Sequence, residues 1–326
     1  MRARQGRAAR RGGVVAAVVC VLVVGGCSAG SNGGSGSPGA AVAGDPAKDK
    51  LASILARGTL VEYFEDDYAP QSMAVKGATR AAGTNCATNQ LTAPEVTGFD
   101  NEITKLIATQ LGVEACFVSP TWTEVTAGNW SDRMDIAYGS GAINATRMEH
   151  LWMTQPYYYI PQRFVVRDDS PYQRPADLDG KTIGTCTSCT VESYLQGTLD
   201  IPGVQLVQKV KDPKLAGYET EAPGIEALAT GNLDAFLTAE PVAAAAIADG
   251  KPLRMLEEPA FSMYPSGFID KGSALDEKAF FERINTIVAG LHADGELKTL
   301  SDTFFGKDYT TEAGKFDLSQ LRQEVP

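Results

Sequence analysis

Three groups of residues in this 326-residue chain have the types and spacing to do chemistry. Arg147 follows a β-type run, Met134 to Tyr138, and a loop of Gly, Ser and Asn, and nine residues later the chain reads Pro156-Tyr157-Tyr158. A guanidinium is a planar fork of donors that grips a carboxylate with two parallel hydrogen bonds, so an arginine just past a strand end is suited to an anion clamp. Glu240 closes a second strand-like run, Leu233 to Leu237, and stands before Pro241 at the start of a helix. Ligands of open α/β sheets bind beyond the carboxyl ends of the strands, and an acid there offers the opposite pole. Cys186 and Cys189 form a Cys-x-x-Cys pair between a strand (KTIGT, Lys181 to Thr185) and a helix, the local plan of a thiol–disulfide redox site.

Such groups need a scaffold, and the chain supplies alternating strand and helix patterns. Leu60 to Phe64, Val113 to Val118, Arg163 to Arg167, Val204 to Val207, Arg254 to Leu256 and Ser266 to Ile269 read as further strands. Ile103, Leu106, Ile107 and Leu111 recur at helical spacing, with Asp100 as the expected cap and Gly112 as the stop. A second helix runs from Ile225 to Ala229, and Phe280, Ile284, Ile287, Val288 and Leu291 mark a long amphipathic one. Strands alternating with helices predict an α/β fold with a mostly parallel sheet. The residues after about Thr310 are polar and read as a loosely docked tail.

The beginning of the chain speaks to location. Five arginines and no acid precede an apolar run, Val14 to Val24, which is too short to span a bilayer as a helix and reads as a signal peptide, residues 1–26. Val24-Gly25-Gly26-Cys27 resembles the lipobox of bacterial lipoproteins, which makes Cys27 the expected lipidated residue; the alternative is an ordinary secretory cut near Ala29. Residues 27–49, mostly Gly, Ser and Ala, form the expected flexible tether to a folded part outside the cytoplasm. Removing the five leader arginines leaves 24 of the 29 basic residues against 40 acids, a balance that argues against nucleic acid as a partner.

With Cys20 lost and Cys27 lipidated, Cys86, Cys116, Cys186 and Cys189 remain for an oxidising compartment and suggest two disulfides. Four cysteines allow three connectivities; Cys86 with Cys116 and Cys186 with Cys189 is favoured because the pairs would lie in different lobes, and the residues leave the choice open. The two histidines, His150 and His292, stand at no metal-ligand spacing from a cysteine or from each other, so no metal and no cofactor is expected.

An ordered set of short motifs carries a resemblance. Gly58-Thr59-Leu60-Val61, Tyr68-Ala69-Pro70, Gly98-Phe99-Asp100, Trp122, Asp135-Ile136, Arg147 with Pro156-Tyr157-Tyr158, Leu178-Asp179-Gly180-Lys181 and Asp234-Ala235 come first. Gly267-Phe268, Ala293-Asp294-Gly295 and Phe304-Phe305-Gly306 complete it. Over about residues 50 to 307 the chain resembles the family 3 extracellular solute-binding proteins of bacterial ABC transporters. The resemblance implies a two-lobed type II periplasmic-binding fold with two hinge crossings, placed near Tyr157 to Pro161 and Phe261 to Ser266. Residues 50–160 and 262–326 are then lobe 1 and residues 161–261 lobe 2. It implies a monomer that takes an amino acid or related polar solute to an ABC permease. By the same resemblance Arg147 pairs with an α-carboxylate and Glu240 takes the α-ammonium. Tyr68 and Trp122 are aromatic walls, and Ser140, Ala142 and Asn144 line the arginine loop. Thr187 to Thr190 present a helix N-terminus, and Glu65 is the first-lobe acid. Ala142 and Asn144 stand where the family commonly has hydroxyl residues, and Cys186 and Cys189 where it has Gly and Thr, which leaves the guest open. Two rival readings are a redox protein using Cys186 and Cys189, and a lyase or hydrolase on the same fold with Glu240 as its acid.

Overall fold

The computed structural model describes residues 44–202 and 204–325. The expected signal peptide, Cys27 and most of the tether lie outside the described residues. The last of the tether belongs to the fold: the Asp49 carboxylate accepts a 2.7 Å hydrogen bond from the Ala52 N–H and caps the helix Lys50–Arg57. Asp49 also bridges to Asp276. Among the described residues no helix is long and apolar enough to cross a membrane.

The fully buried strand Thr59–Tyr63 runs parallel to Glu114–Val118, with Leu91–Thr92 antiparallel on the far side of the latter. Between them the helix Phe99–Leu111 packs Phe99, Ile103 and Ile107 inward. Its cap is Gly98 rather than Asp100. A Cβ at residue 98 would stand 2.3 Å from the Gln71 carbonyl oxygen, and its φ of 117° suits glycine alone. Asp100, drawn into the first turn, is fully buried and accepts hydrogen bonds from Ser140 Oγ (2.8 Å) and Tyr157 Oη (3.0 Å). Burial raises its carboxyl to about 7.

A second sheet has the order Lys214–Tyr218, Thr182–Cys186, Ala235–Ala239, Ile160–Arg167, Leu253–Met255. The first three strands are mutually parallel, and each feeds a helix: Glu221–Ala229, Thr190–Leu195 and Glu240–Ala248 respectively. Their carboxyl ends therefore open on one rim of the sheet. Val204 to Val207, expected as a strand, has only an isolated bridge from Val204 to Ile201, and the neighbour of Thr182–Cys186 is instead Lys214–Tyr218. That edge strand is largely exposed, so it needs no apolar run and shows none.

The second sheet continues in sequence into a separate two-stranded sheet. Leu151–Pro156 pairs with Ser266–Asp270, while Ile160–Arg167, which follows the former, pairs with Phe261–Met263, which precedes the latter. The chain thus crosses twice, at 157–159 and 264–265, where the rings of Tyr159 and Tyr264 lie 4.6 Å apart. Met134 to Tyr138 is not a continuous strand; Ile136 bridges to Glu62 and Ala137 to Phe268. The C-terminal residues are docked, not loose. Ala313 and Leu321 are buried, and the Gln323 side chain exchanges hydrogen bonds with the Met153 N–H (2.7 Å) and carbonyl (2.8 Å) as a further strand would. Cys86 is joined to Cys116 and Cys186 to Cys189.

Candidate functional site

The short helix Ala145–Met148 places Arg147, because the Asn144 carboxamide oxygen caps it by accepting the Arg147 N–H at 2.8 Å. Only 5 % of Arg147 is exposed. Its Nη1 donates to the Ala142 carbonyl (3.1 Å) and Thr190 Oγ1 (3.0 Å), and Nη2 to the Ser188 carbonyl (3.1 Å). The guanidinium rests on the rings of Trp122 and Phe268, 5.4 and 5.6 Å from their centroids. This packing explains the small residues in the loop: a Cβ at Gly141 would stand 2.2 Å from Phe268 Cζ. Among the described residues no carboxylate pairs with Arg147. A buried cation with neutral partners only is poorly compensated, and burial lowers its pKa to about 10.

Arg147 forms one wall of a cleft lined by residues from both halves of the fold. Glu65, Tyr68, Trp122, Ser140 and Thr190 line it together with Arg147. Three acids line the same cleft: Glu65, the exposed Glu219 and Glu221. Glu221 begins the helix Glu221–Ala229 at the end of the edge strand and is 6 % exposed. Its Oε1 lies 3.3 Å from Cys186 Sγ, which is oxidised and has no proton to donate, and its Oε2 has no hydrogen-bond partner among the described residues. Burial first, then the charges of Glu65 and Asp67, raise the Glu221 carboxyl to about 8 against the opposing effect of the Thr238 hydroxyl. Glu65 is raised to about 7, chiefly by burial, although Tyr63 Oη donates to it at 2.7 Å. Two more lining residues carry buried nitrogens without partners, Trp122 Nε1 and Gln162 Nε2. Buried polar groups are normally paired, so this concentration of unmet donors and acceptors marks a cleft shaped for a polar guest.

The remaining expected residues sit elsewhere. Ala142 and Asn144 stand behind Arg147 and hold it rather than lining the cleft. Ser140 lines it, but its hydroxyl is committed to Asp100 and also accepts from Tyr158 Oη. Thr187 is not in the lining; its N–H donates to the Tyr218 carbonyl (2.8 Å). At the expected helix N-terminus, ahead of Thr190–Leu195, the Ser188 N–H is already taken by the Glu192 carboxylate (2.7 Å).

Glu240 requires a correction. It starts a helix after a strand as expected, but its carboxylate is held by Arg163 (2.8 Å), Lys307 (2.8 Å) and Tyr309 Oη (2.7 Å), away from the cleft lining. Those donors lower its pKa against the opposing effect of burial. A saturated, ionised carboxylate is neither the second pole nor a general acid. On that rim the cleft lining instead holds Glu219 and the buried Glu221, at the end of the strand two places further along the sheet. The signal for Glu221 in the sequence is Tyr218-Glu219-Thr220-Glu221-Ala222-Pro223, an acid-rich junction with a proline in the first helical turn. Starting that helix at Ile225 conceals it.

Residues 81–307, more than half of the chain, match the bacterial extracellular solute-binding proteins, family 3. The chain belongs to this family, and it is a binding protein rather than an enzyme. Among curated proteins it is 24% identical to the L-cystine-binding protein TcyJ of Escherichia coli (strain K12) over 263 residues, 80% of this chain and 87% of that protein. It is also 24% identical to the ABC transporter arginine-binding protein 1 of the same strain, over 65% of this chain and 82% of that protein. Among solved structures, the substrate-binding protein of an amino acid ABC transporter superposes with a TM-score of 0.63 at 23% identity, covering 77% of this chain and 100% of that one. The amino acid ABC transporter substrate-binding protein AbpA from Streptococcus pneumoniae, bound to L-arginine, gives 0.62 at 23%, covering 81% and 99%. The α/β fold is that of the amino-acid-binding periplasmic proteins.

Proposed function

We propose that the protein captures a single free amino acid between its two lobes and hands it to an ABC permease, from a position anchored to the outer face of the cell membrane through a lipidated Cys27. The observation that carries the capture reading is Arg147: among the described residues it is a buried guanidinium without a carboxylate partner, in a cleft whose lining also holds Glu221, a buried carboxyl without a cationic partner. A zwitterion completes both. Its α-carboxylate takes the fork of Arg147, its α-ammonium takes Glu221, and Trp122 and Tyr68 cover its apolar part. Two further acids, Glu65 and Glu219, favour a guest with a second positive charge, so the class proposed is the cationic amino acids, with L-arginine as the first candidate. The names of the arginine-binding relatives support the same class.

Residues 50–160 with 262–326 and residues 161–261 serve as the two bodies in this reading, turning on the crossings at 157–159 and 264–265. Arg147 already reaches across them to Ser188 and Thr190, an arrangement in which closure and guest capture share one side chain. The test is a thermal-shift screen of the standard amino acids followed by calorimetry of the hits. A guest raises the melting temperature by mass action, and Arg147→Ala abolishes its binding while the variant stays folded. Retained affinity in that variant overturns the clamp.

A further inference from the structure

The two disulfides sit in different surroundings. Cys116 is fully buried and Cys86 is 7 % exposed, packed within a hydrophobic cluster. Cys186 and Cys189 form part of the cleft wall, Cys189 half-buried and Cys186 beneath it at 5 % exposure. Both sulfurs and a Glu221 oxygen lie within 4.8 Å of one another. The four-residue ring closed by this bond contains Ser188, whose carbonyl accepts from Arg147 and whose Oγ lies 3.0 Å from Thr123 Oγ1 on the opposite lobe. Ser188 is held at a φ of 61°, a left-handed conformation unfavourable for a residue with a Cβ.

We propose that the Cys186–Cys189 disulfide is a thiol-exchange site in the wall of the guest cleft, opened by a small thiol, and that its opening releases the second-lobe half of the Arg147 clamp. The consequence for guest binding rests on the capture function above; the exchange itself does not. A small thiolate entering the cleft meets Cys189 first. A bond forms between its sulfur and Cys189 Sγ, the Cys189–Cys186 bond breaks, and the electron pair leaves on Cys186 Sγ. That thiolate emerges 3.3 Å from Glu221 Oε1, and the Glu221 carboxyl, protonated through neutral pH, can supply its proton. A second small thiol attacks the sulfur of the first in the mixed disulfide. The products are the oxidised small disulfide and two protein thiols, with two electrons passed from the small thiols to the protein. Without the ring, Ser188 is free to leave its left-handed conformation, and its carbonyl moves off Arg147.

The test uses the oxidised, disulfide-bonded protein and reduced glutathione as the probe. Free cysteines are alkylated at intervals and mapped by mass spectrometry. The expected result is alkylation of Cys186 while Cys86 and Cys116 stay joined, with glutathione caught on Cys189. A Cys186–Cys189 bond that outlasts Cys86–Cys116, or an adduct on Cys186, overturns the exchange site. Calorimetry with L-arginine then compares the oxidised and opened forms. A tenfold or greater loss of affinity supports release of the clamp, and an unchanged affinity overturns it. The Cys186→Ser/Cys189→Ser double variant, checked for folding by circular dichroism, is expected to bind like the opened form. If the oxidised protein binds no amino acid, the capture function falls while cysteine mapping still decides the exchange. Release is then read from Trp122 emission, assigned with Trp122→Phe: a change on opening supports it and an unchanged spectrum overturns it.

Discussion

Replacing Glu221 by glutamine separates what this residue does for folding from what it does for binding. The carboxyl titrates near 4.5 in the unfolded chain and at about 8 in the folded one. Because the folded value is raised, the unfolded chain gives up the proton first. The contribution of this group to stability is fully present below pH 4.5, falls as pH rises and levels off above about 8. At about 1.36 kcal/mol per pH unit, the wild-type protein loses roughly 3 kcal/mol between pH 5 and pH 7 through this group, and Glu221→Gln does not. A buried amide has unmet hydrogen bonds of its own, at a cost of about 1–3 kcal/mol, so the two chains are expected to be closest in stability near neutral pH. The slope is the decisive quantity. Urea unfolding at pH 5, 6 and 7 should show the variant gaining on the wild type by about 3 kcal/mol over that interval. L-Arginine binding should fall in the same variant by roughly 2–5 kcal/mol, tens- to thousands-fold, because the ammonium loses its charged partner. Parallel stability curves would refute the buried-carboxyl argument, and unchanged affinity would refute Glu221 as the cationic guest's partner.

Other expectations can be checked alongside. At pH 7 the guest's ammonium should drive the proton from Glu221, so calorimetry in buffers of different ionisation enthalpy should show about one proton released per guest bound, more if Glu65, raised to about 7, also ionises. Glu240→Gln should lower stability by about 1–3 kcal/mol, through its lost contacts to Arg163, Lys307 and Tyr309, while leaving the guest's dissociation constant within a few-fold; loss of binding without loss of stability would return it to the cleft. The Cys86→Ser/Cys116→Ser pair should cost about 3–4 kcal/mol on loop-entropy grounds, since it frees a connection of 30 residues, with guest affinity retained; urea midpoints measure the first and calorimetry the second.

Several features of the site are local enough to be read from residue order. Arg147 is placed by its own short helix and the Asn144 cap, Trp122 opens the helix Trp122–Ala127, and Tyr68 ends the short strand Asp67–Tyr68, so their neighbourhood is written within a few residues of each. The alternating strands and helices follow from apolar runs that the core requires. Glu221 was hidden for a physical reason: its strand, Lys214–Tyr218, lies at an exposed sheet edge and makes no apolar signature, so the helix after it seemed to begin four residues late. Glu240 misled for the converse reason. Three parallel strands end on one rim, each followed by a helix, and residue order alone does not say which junction faces the other lobe.

What the sequence by itself determined is the class of protein, an α/β solute-binding protein, because motif order and periodicity survive without coordinates. The tertiary structure alone decided which acid shares the cleft with Arg147. Strand order in the second sheet puts Glu221 on the cleft beside the Cys186–Cys189 ring, whereas the C-terminal segment brings Lys307 and Tyr309 to Glu240 and saturates it. These contacts join residues 35 and 69 positions apart, and separations of that size are set by how the sheets pack, not by any local pattern.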